Sequence, residues 1–238
     1  CADCICDQVG KSVTDLFRKS LSFLPKPAHV LISLSNGSSS QFVWDIFQKK
    51  IKPSIQGKTA IVKKLECIST YDFSDSFNSN KISKYSTMNV INYANENNFN
   101  CVIFCDSADH VTLANIAALA CGRPDLEHWY STDDFTNFSP IVILRPARQC
   151  LKKELQFYCR KNGIQFDDSL SPFERAFSEE QRMIQDVVEN ANGAMPFSVQ
   201  KFGEKLPTFQ QNSRCPICGL PAPNDGICQM CSMIQDYE

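Results

Sequence analysis

Apolar and polar positions follow one another in blocks along the chain, and the period within each block changes. Within 13–24 (VTDLFRKSLSFL) apolar residues recur at helical spacing, and Pro25 and Pro27 stop the predicted helix. Residues 29–35 (HVLISLS) form a short apolar run with β-branched members, which predicts a buried strand. A small polar loop, Ser35 to Ser40, separates it from an amphipathic helical stretch at 41–47. The alternation then repeats. A strand is expected over 60–68, a Ser/Asn-rich loop over 69–86, a helix over 87–98 and a strand over 101–105. An Ala/Leu-rich helix follows over 108–121, ending at Gly122. A strand at 140–144 and a helix at 148–162, closed by Gly163, complete the series.

Strands alternating with helices imply an α/β fold, a parallel twisted sheet with helices on both faces. No internal repeat interrupts the pattern. A helical stretch at 172–191 leads away from this domain. From Gln210 onward the tail is Pro/Gly/Cys-rich and needs a staple to hold a structure. The expected division is an N-terminal cysteine segment and helix (1–24), the α/β domain (25–165), a helical extension (166–212) and a cysteine tail (213–238).

Composition narrows the function classes. The chain has 238 residues and a formal net charge of −2, so no overall basic field advertises nucleic acid, and RNA contact needs a local patch. No run of about 18 apolar residues occurs, so no membrane span is expected. The first residues, Cys1-Ala2-Asp3-Cys4, carry neither a basic region nor an apolar stretch, so no signal peptide is expected. Thirteen cysteines, an odd number with CxxC pairs and no signal peptide, read as cytosolic thiols plus metal sites rather than a disulfide framework.

The loop Ser35-Asn36-Gly37-Ser38-Ser39-Ser40 sits where α/β proteins bind phosphates, between a first strand and a helix whose N–H groups point at an anion. It lacks the lysine of a Walker loop and has only one of the glycines of a dinucleotide fingerprint. It is similar to the PP-loop Ser-Gly-Gly-x-Asp-Ser of ATP-pyrophosphatases. Ser35, Gly37 and Ser40 match; Asn36 stands for a glycine and Ser39 for the aspartate. A plain strand–turn–helix connection is the competing reading of the loop taken alone.

Cys215-Pro-Ile-Cys218 and Cys228-Gln-Met-Cys231 present two thiolate pairs. Four thiolates close a tetrahedral shell, so a structural zinc knuckle is expected; a redox pair would instead follow a strand and open a helix. Cys101 and Cys105, four apart on a strand, share one face and read first as buried small hydrophobes. No complete iron–sulfur site is expected. Arg145, Arg148, Lys152, Lys153, Arg160 and Lys161 concentrate positive charge near one strand end, and Lys49, Lys50, Lys52, Lys63 and Lys64 form a second cluster. Each is a candidate for phosphate contact or a solvated face. Asp167-Asp168 and Glu179-Glu180 read as exposed acids. His110 and His128 show no partner pattern and receive no catalytic role.

Two longer segments tie these features together. Residues 98–108 (NFNCVIFCDSA) resemble "GFDxVVLGDSA", and 139–160 (SPIVILRPARQCLKKELQFYCR) resemble "VVVVRPLRDxLxKEIAxYNR". With the Ser-rich loop and the C-terminal cysteines, they resemble the cytoplasmic tRNA 2-thiolation protein 2 family, the second subunits of cytosolic thiouridylases, over 1–231. The resemblance implies a PP-loop, adenine nucleotide alpha-hydrolase-like fold with a C-terminal zinc knuckle. It implies a cytoplasmic heterodimer with the catalytic thiouridylase subunit 1, which carries the intact PP-loop and a cysteine-bound cluster. Together the two place sulfur on wobble uridine of the tRNAs for Lys, Glu and Gln, using a thiocarboxylated ubiquitin-related modifier. Ser35, Gly37, Ser38, Ser39 and Ser40 then form a degenerate nucleotide loop that scaffolds a site without turning ATP over. Arg145 and Arg148 are singled out as tRNA or partner contacts. Cys1 and Cys4 correspond to half of a four-cysteine site. An autonomous ATP-dependent tRNA sulfurtransferase and a zinc-bearing adaptor with no tRNA role are the alternatives.

Overall fold

The computed structural model describes residues 2–51, 62–69, 87–120, 122–133, 140–168, 187–188, 190, 194–206, 213–216, 221–222 and 226–227. Helix α1 (Ala2–Leu21) precedes β1 (Ala28–Leu34), α2 (Ser38–Ile46) with a terminal π turn (Phe47–Ile51), and β2 (Val62–Ser69). Then come α3 (Thr87–Glu96), β3 (Cys101–Phe104), α4 (Ala108–Ala120), α5 (Asp125–Ser131), β4 (Val142–Leu144) and α6 (Lys152–Lys161). Helix α7 (Ala194–Lys205) and a short hairpin, β5 (Ser213–Arg214) with β6 (Pro221–Ala222), follow. Among these residues no helix is long and apolar enough to cross a membrane.

The first four strands form one parallel sheet in the order β2-β1-β3-β4, with Val30 opposite Cys101 and Cys101 opposite Val142. This is the α/β architecture expected from the sequence. The period-2 alternation of side chains divides each strand between two cores. Val30, Ile32, Cys101, Ile103, Val142 and Leu144 pack with α1, α2 and α6. Leu31, Val102 and Ile143 pack on the other face with α3 and α5. Such fully buried side chains contribute roughly 1.5–3 kcal/mol each.

Three elements depart from the expectations. Helix α1 starts eleven residues earlier than the predicted 13–24, because Cys6, Val9, Val13 and Phe17 continue one buried stripe. Residues 2–24 therefore share the main core instead of standing apart from 25–165. Helix α5 was not anticipated. Nor was α7, which packs on α4 and α5. Its Gly203 permits that approach: a Cβ there would lie 2.3 Å from Ser131 Oγ and 2.9 Å from Glu127 O. Residues 70–86 of the loop expected over 69–86, and most of the helix expected over 172–191, lie outside the described residues.

At the carboxyl edge of the sheet an arginine is buried. Arg145, one residue past β4, is only 2% exposed. Its Nε donates to Asp106 Oδ2 (3.2 Å), and its Nη1 donates to Trp129 O (3.1 Å) and Thr132 O (3.2 Å). The guanidinium carbon lies 4.3 Å from the Trp129 ring centroid, within cation–π range. A buried cation is tolerable only when so fully paired. Asp133 extends the clamp: its Oδ1 accepts from Arg145 N (2.9 Å) and Arg148 Nη1 (2.8 Å), and its Oδ2 from Ser20 Oγ at the end of α1 (3.1 Å).

Arg145→Met removes the donor for two carbonyls and a carboxylate, and is expected to lower unfolding free energy by about 3 kcal/mol. Chemical denaturation checks this. Unchanged stability would show that these internal bonds do not hold the fold.

Candidate functional site

The strand order reverses direction between β1 and β3: the chain goes from β1 to β2 on one side, then crosses to β3 on the other. In open α/β sheets, ligands bind in the crevice that such a reversal leaves beyond the strand ends. Two loops meet at that place here, Ser35–Gly37 after β1 and Cys105–Ser107 after β3.

The first loop is held by its own hydroxyls. Ser35 N donates to Ser40 Oγ (2.9 Å), the two hydroxyls lie 3.0 Å apart, and Gly37 N donates to Ser35 Oγ (3.2 Å). Gln41 N donates to Gly37 O (3.1 Å), starting α2. Gly37 has φ −68° and ψ 159°, ordinary extended backbone. Its value is therefore space, not a special dihedral. A Cβ there would lie 3.2 Å from Asp168 Oδ1 and 3.3 Å from Ser35 Oγ.

Asp168 sits at the helix mouth. Ser38 N, at the first turn of α2, donates to Asp168 Oδ1 (2.7 Å). Ser38 Oγ lies 3.0 Å from both carboxylate oxygens, and Gln156 Nε2 donates to Oδ2 (2.6 Å). The next residue back, Asp167, donates its N–H to Asn36 O (2.9 Å), so 167–168 crosses the loop with two backbone-anchored contacts. Burial raises the Asp168 pKa, but the bonds from Gln156 and Ser38 and the nearby Lys152 charge outweigh it and hold the carboxyl below its usual range. The exposed-acid reading of Asp168 is thus corrected. It is a half-buried structural carboxylate at a helix N-terminus, where negative charge is favoured. Ser39 is buried, and its Oγ has no hydrogen-bond partner among the described residues.

The second loop brings Asp106, Asp109 and His110. Lys152 N donates to Asp109 Oδ2 (2.5 Å), and burial lowers the pKa of His110. Glu154 Oε2 accepts from Leu151 N (2.9 Å), capping α6, and Tyr158 Oη donates to Asp45 Oδ2 (2.9 Å). The long basic motif therefore divides. Arg145, Arg148, Glu154 and Tyr158 bond to internal partners, the structural role that the motif left open for Arg145 and Arg148. Lys153 and Arg160 are exposed on α6, and Lys152 is half-buried.

The cysteines divide as well. Cys101 and Cys105 are buried, as expected of small hydrophobes, and burial pushes both thiols far up. Cys150 and Cys159, also buried, are pushed up to about 12. Cys105 Sγ donates to Ser33 O (3.3 Å) and Cys159 Sγ to Ser38 O (3.5 Å). Protonated thiols bonded to carbonyls do not suit thiolate ligation. Cys215 is buried directly after β5, and Cys4 is exposed on α1. Cys1, Cys218, Cys228 and Cys231 lie outside the described residues. Among the described residues, no group of three or more His, Cys, Asp or Glu is placed to hold a metal ion.

No family model matches the chain. Over 141 residues it is 26% identical to cytoplasmic tRNA 2-thiolation protein 2 of Schizosaccharomyces pombe, a match that covers 57% of this chain and 38% of that protein. The chain thus spans well under half the length of this relative. Its fold is that of the U34-tRNA thiolase NcsA from Methanococcus maripaludis, solved with its 4Fe-4S cluster. The TM-score is 0.62 at 15% identity, covering 99% of this chain and 89% of the thiolase. The chain is thus similar in sequence to a cytoplasmic tRNA 2-thiolation protein over part of that protein's length, and it has a PP-loop-like α/β fold like that of a tRNA thiolase.

Proposed function

We propose that this chain is the non-catalytic partner subunit of a complex that 2-thiolates wobble uridine in the cytosolic tRNAs for Lys, Glu and Gln. In this reading it forms a cytoplasmic heterodimer with a catalytic thiouridylase subunit 1, and sulfur comes from a thiocarboxylated ubiquitin-related modifier. The observation that carries the reading is the loop after β1. Making the uridine carbonyl oxygen a leaving group requires adenylation, and hence a site that holds ATP phosphates and a cation. Here the PP-loop carboxylate position is Ser39, and the first N–H of α2 is already bonded to Asp168. The sulfur-transfer half of the reaction needs a thiolate. Cys101, Cys105, Cys150 and Cys159 are buried thiols held protonated. Of the described cysteines, Cys4 and Cys67 are exposed, so the loop is what favours a partner over a chain that supplies the chemistry. Similarity to the fission-yeast protein and the thiolase fold support tRNA as the substrate class.

Lys153 and Arg160, exposed on α6, are the residues of the basic motif that this reading leaves for tRNA phosphates. Replacing both with Ala is expected to weaken tRNA binding by the complex. It should also reduce the salt slope of log K by roughly 2, one unit per lost phosphate contact.

A structural zinc held by Cys215, Cys218, Cys228 and Cys231 belongs to the same reading. Four thiolates suit a closed tetrahedral shell, and Cys215 is buried at a hairpin. The zinc would hold the tail folded and take no part in the reaction. Elemental analysis is expected to find about one zinc per chain, lost in Cys215→Ser.

Co-expression with the catalytic subunit tests the whole reading. Thiolation is expected only when both chains are present, and the isolated chain should release no AMP with tRNA and ATP. Micromolar ATP affinity with AMP release from the isolated chain would establish an autonomous sulfurtransferase. Undiminished thiolation without the chain would favour the zinc-bearing adaptor.

A further inference from the structure

We propose that Asp168 is a built-in anion that seals the phosphate seat of the loop, so that the chain's own carboxylate stands where a nucleotide phosphate would bind. The inference deepens the partner-subunit reading and rests on it only for its biological meaning; the seal itself is a property of the geometry.

Helix α2 is nine residues long, and its leading N–H groups make an anion seat of the kind that phosphate loops use. In this chain the seat holds a carboxylate already. Asp168 Oδ1 takes the Ser38 N–H at 2.7 Å, a length typical of a charge-assisted bond, and the Ser38 hydroxyl lies 3.0 Å from both oxygens. Gln156 Nε2 fixes the second oxygen at 2.6 Å from the α6 side. The floor of the seat is shaped for this occupant: a side chain on Gly37 would press on Asp168 Oδ1 at 3.2 Å. A second strand of contact, Asp167 N–H to Asn36 O at 2.9 Å, pins the backbone of the strap across the loop. One residue further on, the buried Ser39 Oγ has no hydrogen-bond partner among the described residues, so polar capacity within the loop is left over after the carboxylate is seated.

The exclusion of phosphate follows from space and charge together. A phosphate oxygen needs the position that Asp168 Oδ1 occupies. A di- or trianion brought beside a fixed carboxylate meets like-charge repulsion in a partly desolvated crevice, where Coulomb energies exceed their values in water several-fold. Substitution at Ser39 removes a carboxylate from the related motif, and Asp168 returns one in a different place, pointed at the helix end. The loop thereby keeps the electrostatic complement of α2 without a ligand. It stays folded as a scaffold whether or not ATP is present.

The test is isothermal titration of the full-length chain with inorganic pyrophosphate, wild type against Asp168→Ala and Asp168→Asn. The wild type is expected to show no saturable binding up to about 10 mM, and the variants to gain at least about tenfold in apparent affinity. Asp168→Asn keeps the volume and removes the charge, so it isolates the repulsive part of the exclusion and remains informative if the alanine variant fails to fold. A measurement on the wild type alone decides the case should both variants unfold. The Ser38 backbone amide, followed by heteronuclear NMR, is expected to stay unmoved by pyrophosphate. A saturable shift of that amide in the wild type, or equal pyrophosphate affinity in all three proteins, would overturn the proposal. Thiolation by the reconstituted complex is a separate arm. If the chain proves dispensable for thiolation while the variants gain pyrophosphate, the partner reading falls and the seal stands. If wild type already takes pyrophosphate at Ser38, the seal falls whatever thiolation does.

Discussion

Strand β1 lies between β2 and β3 with helices over both faces, so its backbone groups cannot reach water and must pair within the sheet. That burial forces the chain to leave β1 only at its carboxyl end, through a loop short enough to turn directly into α2. The loop is therefore made of small hydroxyl residues that satisfy one another: Ser35 with Ser40, Gly37 with Ser35. It also points the open end of α2 at the crevice between β1 and β3. The location of the site, the polarity of its N–H groups and the small size of its residues are consequences of one buried strand.

Unpaired polar groups at the rim of such a core are costly, and two charged residues there, buried Arg145 and half-buried Asp168, are matched from remote sequence. Arg145 reaches Asp106, Trp129 O and Thr132 O from the end of β4. Asp168 reaches Ser38 across 130 positions. Each link joins segments that the sheet alone does not connect: β4 to α5 in the first case, α6 and its following turn to α2 in the second. The carboxyl edge is thus stitched by one buried cation and one half-buried anion.

Much of the fold was legible because it rests on local periodicity. The runs at 29–35, 101–105 and 140–144 are apolar enough to be strands fixed only by burial, and all three are. Helix α1 was read short because Cys4 and Asp7 break the look of an apolar stripe, although Cys6 and Val9 continue it at helical spacing. Helix α7 escaped because it holds Pro196 and Gly203, residues that oppose helix by propensity. Pro196 stands in the first turn, where proline is tolerated, and Gly203 faces Ser131, where packing repays its entropy. The site was only half legible. The anion-seat loop shows in sequence as small residues between a strand and a helix. Its occupant does not, because Asp168 looks like any surface acid until the fold brings it to Ser38. The same holds for Arg145. A basic residue in a basic motif suggests phosphate, and only three-dimensional pairing shows that its charge is already used.

Substitutions at a nucleotide loop are usually weighed as losses, and the Ser39 hydroxyl in the place of a carboxylate invites that view. A loss alone would leave α2 with unsatisfied N–H groups facing a half-buried crevice, a state that costs about 1–3 kcal/mol per group. A loop that had merely decayed would be expected to loosen or to fill with side chains. This one keeps Gly37 where a methyl group would touch Asp168, and keeps Gln156 aimed at the same carboxylate. Both features accommodate the internal anion, and the space at Gly37 also accommodates the Ser35 hydroxyl. On the proposal above the loop is refitted rather than degenerate: the first N–H of α2 keeps an anionic partner, and that partner is part of the polypeptide.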